Sequence, residues 1–382
     1  MRIGIVGAGI GGLSAAVGLH RAGAEVRVFE RAKAVRAGGS GLSIFANGLT
    51  ALDALGLREE FETVTDKKVE SLTAGQRKTD GSWIARLPSG SVGELRIVDR
   101  ADLHRILLDN LPAGTVRTSA EVTSASPEGT LTFRYGPDET FDLTIGADGL
   151  HSRIREVVVG QVPIRYSGYS AWRGITSVPV DLEGAAGESV GRGRRFGIAP
   201  LADGRVYWFA VANMPERAVF ADEKATVEQM FAGWHSPIAD LIAATPAEAI
   251  GRTPISDLGA HLPRFHTGRI VLLGDAAHAM TPNLGQGGGQ ALEDAATLAR
   301  LLAAQAESEL ADEDLAEVLS RYDRLRRRRT QSIAAKSRLL GTLFQLESAP
   351  LIALRNTLIG LAPPRLMAAE AERAQRWDPP ES

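Results

Sequence analysis

The first thirty residues change hydrophobic period twice. Arg2–Val6 (RIGIV) is a short β-type run, Leu13, Ala16 and Val17 then recur at helical spacing in LSAAVGLHRAG, and Glu25–Phe29 (EVRVF) reads as a second strand. Gly23 supplies the helix stop. The pattern predicts a strand–helix–strand unit whose turn is GAGIGG, residues 7–12. In such a unit Gly7 permits the tight turn, Gly9 lets backbone approach a pyrophosphate, and Gly12 lets the helix pack close on the strand. The helix N-terminus then offers unpaired N–H groups to the anion. Glu30 ends the second strand eighteen residues beyond Gly12, near the spacing at which a carboxylate accepts from a ribose diol. Dinucleotide binding is predicted, with the dinucleotide itself left open.

A related pattern returns late. Residues 270–273 form a β-type run ending in Gly274 and Asp275, and TPNLGQGGGQ opens a helix expected over about residues 288–304. A ligand reaching both turns would meet Asp275 with its polyol hydroxyls and the amides around 285–288 with a second anionic centre. FAD has that shape, with a ribitol and a ring that is negative when reduced, whereas NAD has no ribitol. Midway, FDLTIGAD (141–148) reads as a strand ending in Asp-Gly, followed by Ser152, Arg153 and Arg155. Asp148 suits either a cofactor contact or a helix N-cap with a local arginine partner.

Residues 157–265 carry β-type runs: YSGYSAWRGIT, RRFGIAPL and RVYWFAV. The last two are joined by Ala202, Asp203 and Gly204, and a three-residue loop with left-handed Gly pairs Leu201 with Arg205. Positions 199 and 207, 197 and 209, and 195 and 211 then pair in turn, so Arg195, Tyr207 and Phe209 share a face. A cation, a phenol and an aromatic plane suit an acidic planar substrate. Sheet packing for Tyr207 and Phe209, and a solvated or ion-paired Arg195, stay open. Trp172 and Tyr169 read as packing residues.

Composition narrows the classes. At 382 residues two or three domains are expected. Forty-three basic against 46 acidic residues give a net charge of −3, which favours no nucleic-acid partner. With no Cys there is no disulfide, thiolate metal site, thiol nucleophile or cysteinyl cofactor link, which suits a reducing cytoplasm. No secretory signal stands at the start and no apolar run approaches the roughly 18 residues of a membrane span, so a soluble, untargeted chain is expected. RYDRLRRRR (321–329) follows an acidic stretch and reads as a solvated, ion-paired helix face. His278 has no partner at zinc-ligand spacing and reads as capped or packed, so no metal is expected. No GxSxG elbow points to a hydrolase.

GAGIGG, then GADGLHSRIR (146–155), then LLGDAAHAMTPNLGQGGGQALEDA, in that order, resemble the para-hydroxybenzoate hydroxylase family of single-component flavin monooxygenases over most of residues 1 to about 330. The resemblance implies an α/β fold: a Rossmann-like FAD-binding domain (1–156 and 266–330), a β-rich substrate domain (157–265) and a C-terminal helical cap (331–382). It implies that Gly7, Gly9, Gly12 and Glu30 hold the adenosine diphosphate half of a non-covalent FAD. Gly274 and Asp275 would meet ribitol or pyrophosphate, and Leu284, Gly285, Gln286 and Gly287 the isoalloxazine. Arg100, opening a helix in VDRADLHRIL, and Arg36, in the loop before GLSIFANG, match flavin-contacting positions. Asp148 and Arg155 match a segment associated with FAD and a transient NADPH or NADH. No second nucleotide fingerprint is present, since GRGRRFG (191–197) has the wrong spacing and leads into a β-type run.

The implied activity is NAD(P)H- and O2-consuming hydroxylation of a small aromatic or conjugated molecule through a flavin C4a-hydroperoxide, in a site that excludes water. Arg195, Tyr207 and Pro282 would be the catalytic residues. Pro282 stiffens the loop beside the ring, and the helix N-terminus near Gly287 favours the anionic reduced flavin. Arg195 and Tyr207 resemble a substrate-binding pair in flavin-type urate hydroxylases, where Asn283 would be an aspartate. A flavin epoxidase or Baeyer–Villiger oxygenase, and a flavin sensor without turnover, stand as alternatives. A monomer or homodimer, off the membrane, is expected.

Overall fold

The computed structural model describes residues 1–35, 40–87, 93–303, 312–363, 369 and 372–381. Arg36 lies outside the described residues.

A six-stranded sheet runs in the order Val116–Arg117, Glu25–Phe29, Arg2–Val6, Leu143–Gly146, Ile270–Leu272 and His266–Thr267. The first five strands are parallel and the last is antiparallel. Ile3, Ile5, Val28, Ile145 and Val271 are fully buried, as expected of strands covered on both faces. The GAGIGG, GADG and late GD motifs therefore leave the carboxyl ends of parallel strands, the edge where open α/β sheets bind ligands. Helix Ile10–Arg21 packs so closely on helix Gly287–Ala303 that a Cβ at Gly18 would stand 2.8 Å from the Ala299 Cβ.

A seven-stranded sheet runs Gly251–Leu258, Ile164–Ile175, Val206–Asn213, Arg194–Pro200, Gly187–Val190, Ala74–Arg77 and Trp83–Leu87. Its last two strands come from the first segment of the chain, ahead of the expected boundary at 156. The hairpin has the predicted register: Arg195 faces Val211, Gly197 faces Phe209 and Ala199 faces Tyr207, and Gly204 sits at φ +86°. Trp172, Phe196, Trp208 and Ala210 pack one face against helices Glu223–Met230 and Ile238–Ala243. The alternate residues, with Arg195, Tyr207 and Phe209, turn the other way.

Helix Asp312–Phe344 runs 33 residues without a break across the expected division at 330/331. Near its start the Tyr322 hydroxyl donates to the Leu272 carbonyl (3.0 Å), and further on Arg338 Nε donates to Asp257 Oδ2 (2.8 Å). It therefore joins the parallel sheet to the substrate sheet. The reading of 321–329 as a solvated face needs correction, because Arg326 is buried in the core on this helix. Among the described residues no helix is long and apolar enough to cross a membrane.

Candidate active site

Gly7 sits at φ +107°, and a Cβ there would lie 2.4 Å from the Ala147 carbonyl oxygen. At Gly12 a Cβ would lie 2.1 Å from the Gly7 carbonyl oxygen, so both positions demand glycine on steric grounds. Gly9 is different: a Cβ would meet nothing within 4 Å, so backbone faces open space there. The Glu30 carboxylate accepts from the amides of Ala8 (3.0 Å) and Ala32 (2.8 Å), which fixes it beside the turn. A Cβ at Gly11 would touch Leu273 Cδ1 at 2.8 Å and Ala291 Cβ at 3.3 Å. The early and late glycine segments thus meet.

Gly274, at φ +59°, donates its amide to Asp294 Oδ2 (2.8 Å) and turns the chain into the short helix that Asp275 opens. Arg100 opens helix Arg100–Asp109. Its Nε is buried without a partner, and burial pulls the guanidinium below its ordinary value, Asp275 opposing and Arg173 adding to the shift. An orphaned donor beside a carboxylate, next to an open glycine turn, fits the anionic and polyol parts of FAD.

Pro282–Leu284 form a single 3₁₀ turn, Gly285 takes φ +63°, and the long helix begins at Gly287, where a Cβ would again meet open space. The loop is anchored underneath. Gln286 Oε1 accepts from Asn47 Nδ2 (2.9 Å), which also donates to Glu293 Oε1 (2.6 Å). Arg326 binds Glu293, Asp294 (Nε, 2.7 Å) and the Gln290 side chain (2.8 Å), while Arg329 Nε reaches Glu293 Oε2 (2.7 Å). His278 Nε2 lies 2.6 Å from Asp294 Oδ2, a packed histidine. Burial by itself would raise Asp294, but His278 and Arg326 hold its carboxyl below the ordinary value. Of this network the sequence singled out only Gln286 and His278; its available signal was an acid pair, Glu293 and Asp294, inside an Ala- and Leu-rich helix.

Arg195 is buried. Its Nε donates to Gln345 Oε1 (3.0 Å), its Nη2 to Asn283 Oδ1 (2.6 Å), and its Nη1 lies 3.6 Å from Glu188. Asn283 in turn donates to the Tyr169 hydroxyl (3.0 Å), Thr281 Oγ1 (2.9 Å) and the Ser337 carbonyl (2.8 Å), so Tyr169 belongs to the loop's supports. A cavity of about 470 Å³ adjoins this cluster, lined by Tyr169, Asn213, Thr281, Arg338 and Gln345 among others. Trp172 packs as expected, its Nε1 donating to Glu223 (2.6 Å).

The Tyr207 ring lies against Gly41, where a Cβ would fall 2.2 Å from Cγ. Burial pushes the Tyr207 hydroxyl up, against the opposing pull of the nearby Arg173 guanidinium. Asp148 accepts from Ser152 Oγ (2.5 Å) and the amides of Arg153 (2.7 Å) and Ile154 (3.3 Å), with Ser152 the N-cap of helix Arg153–Val159. Arg155 is buried and donates to the carbonyls of Ala276 (3.1 Å) and Leu150 (2.6 Å), tying this segment to the Asp275 helix.

A family model described as an FAD binding domain matches residues 1–337. The chain belongs to this FAD-binding family. The FAD-binding chain is 37% identical over 393 residues to the aurachin C monooxygenase/isomerase of Stigmatella aurantiaca, covering 98% of each. It is 33% identical over 350 residues to the FAD-dependent urate hydroxylase of Klebsiella pneumoniae, covering 87% of this chain and 88% of that one. Among solved structures, Klebsiella pneumoniae HpxO complexed with FAD and uric acid superposes with a TM-score of 0.86 at 28% identity, over 98% of this chain and 96% of its own. These relatives agree with the hydroxylase resemblance, and the protein is an FAD-dependent monooxygenase.

Proposed function

We propose that the protein hydroxylates an electron-rich aromatic or conjugated small molecule in the cytoplasm, consuming O2 and NADPH or NADH, as a monomer or homodimer. The observation that carries this reading is the meeting of the two glycine turns at Gly11, Leu273 and Ala291, with open space over Gly9 and over Gly287 and with the buried, unpartnered Arg100 Nε in a guanidinium that feels Asp275. FAD, when bound there, supplies the redox centre that takes reducing equivalents from the nicotinamide and activates oxygen. Gly7, Gly9, Gly12 and Glu30 cradle its adenosine half. Arg100, Gly274 and Asp275 meet the middle of the cofactor. Leu284, Gly285, Gln286 and Gly287 face the ring, and the helix that starts at Gly287 aims its positive end at it.

The other named residues position and enclose. Asp148 and Arg155 hold the segment beside Ala276, and Pro282 and Arg195 fix the ring-facing loop through Asn283. Tyr207 and Phe209 close the substrate side and keep water out. Planar substrates are supported by the relatives' names, which include 3-amino-4-hydroxybenzoate 2-monooxygenases and urate hydroxylases. The deciding experiment is turnover of the purified yellow protein with NADPH, labelled O2 and a panel of such aromatics. Substrate-dependent NADPH consumption and one labelled oxygen in the product are expected. Absence of FAD binding, or flavin reduction indifferent to every aromatic, overturns the reading.

A further inference from the structure

We infer that Arg173, rather than Arg195, presents the positive charge that selects the substrate, and that it selects an ionised oxygen on an aromatic or conjugated ring. The inference rests on the oxygenase reading above. Arg195 is buried with donors committed to Gln345 and Asn283 and with Glu188 nearby, which leaves it as the brace of the ring-facing loop.

Arg173 stands on the same face of the sheet with its charge unspent. Its cross-strand neighbour is Phe209, and the next pair along is Ile175 with Tyr207, so Arg173, Phe209 and Tyr207 line one surface. It is half-buried and, among the described residues, makes no ion pair with an acid. The Arg173 guanidinium lies close enough to the Tyr207 oxygen to oppose the rise that burial causes, and the hydroxyl keeps its own proton to give elsewhere. Arg100 stands near it across the seam between the sheets, with Asp275 near Arg100 in turn. Two guanidiniums stand there against one carboxylate, a surplus of one positive charge where water is scarce.

A neutral ring gains nothing from that surplus. A phenolate-type oxygen gains a charge-assisted hydrogen bond from Arg173 and a second from the Tyr207 hydroxyl. The ionised form is also the more electron-rich one, so the same pair that recognises the substrate would hold it in its reactive state.

The test uses FAD-loaded protein at mildly alkaline pH and two probe pairs of matched outline that carry no other ionised group: 4-nitrophenol against 4-nitroanisole, and 2,4-dinitrophenol against 2,4-dinitroanisole. Binding is read by equilibrium dialysis and by perturbation of the flavin absorbance. The wild type is expected to prefer the hydroxyl member of each pair. Arg173→Met should weaken that member roughly 10- to 100-fold, the range of a lost hydrogen bond to a charged group, and leave the ether unchanged. Arg173→Lys, which keeps the charge, should restore part of the preference; FAD affinity and melting temperature should stay put in both variants. A wild type without preference, or an Arg173→Met protein that keeps it, overturns the inference. So does a loss of FAD affinity in place of probe affinity, which would make Arg173 a cofactor contact. A protein that takes up no FAD sinks the oxygenase reading instead, so the two failures are distinct.

Discussion

Two arginine clusters flank the proposed cofactor space, and their charge balance differs. Beneath the ring-facing loop, Arg326 and Arg329 meet Glu293 and Asp294, two cations against two carboxylates, and Asn47, Gln286 and Gln290 take up further bonds. The Arg326 guanidinium is held above its ordinary value although burial opposes it, because Glu293 and Asp294 favour its charge. At the seam, Arg100 has Asp275 on one side and Arg173 on the other, and burial, with Arg173 adding to it, pulls the Arg100 guanidinium below its ordinary value. A charge set that closes on itself holds structure, whereas one left in surplus is arranged for something that arrives later.

The harshest way to break the comparison is Arg326→Met, which strands two buried carboxylates. A loss of about 3–5 kcal/mol is expected in chemical denaturation, with weakened FAD binding because Gln286 and Gly274 lose their anchors. Next comes pH. Burial, aided by Arg100, lowers the His104 ring from its ordinary 6.5 to about 4. Between those values the unfolded chain binds the proton and the folded one does not, so stability is full above pH 6.5 and is lost as pH falls toward 4. The cost is at most about 3 kcal/mol, less after solvent screening. His104→Leu should flatten the pH dependence of melting across this window.

A smaller pair of effects separates closed space from open space. Gly12→Ala should cost about 1–3 kcal/mol of apoprotein stability, since its Cβ meets backbone. Gly9→Ala should leave the apoprotein within about 1 kcal/mol yet weaken FAD binding roughly tenfold in fluorescence titration, a loss of about 1.4 kcal/mol. The smallest expected change sharpens the contrast most: Arg173→Met should alter stability by under about 0.5 kcal/mol, as fits a half-buried side chain with no ion pair to an acid among the described residues. A loss comparable to that of Arg326→Met would erase the distinction.

What the sequence revealed was local. The GAGIGG turn, the run into Asp275 and the hairpin register follow from spacing and loop chemistry within a few residues, and each stands where it was expected. Longer relations were hidden. Arg326 looked solvated because its carboxylates lie 32 and 33 residues away on another helix. Period-two alternation placed Arg195 with Tyr207 on one face, but nothing in the chain told that Asn283 and Gln345 would claim the guanidinium from 88 and 150 residues away. One helix, Asp312–Phe344, crosses the expected division at 330/331. The strands at Ala74–Arg77 and Trp83–Leu87 join the substrate sheet through a parallel pairing with Gly187–Val190, a partner no short-range signal can name.

The helix Asp312–Phe344 is gripped near its middle by Arg326 in the buried network and further along by Arg338 on Asp257. Twelve residues at roughly 1.5 Å each set these grips about 18 Å apart. A strut pinned at two points takes away the freedom to hinge, since rotating one sheet away from the other would have to bend the helix or tear a buried ion pair. Traffic into the seam is thereby left to side chains and loops, and the distance between the two sheets is a constant of the molecule.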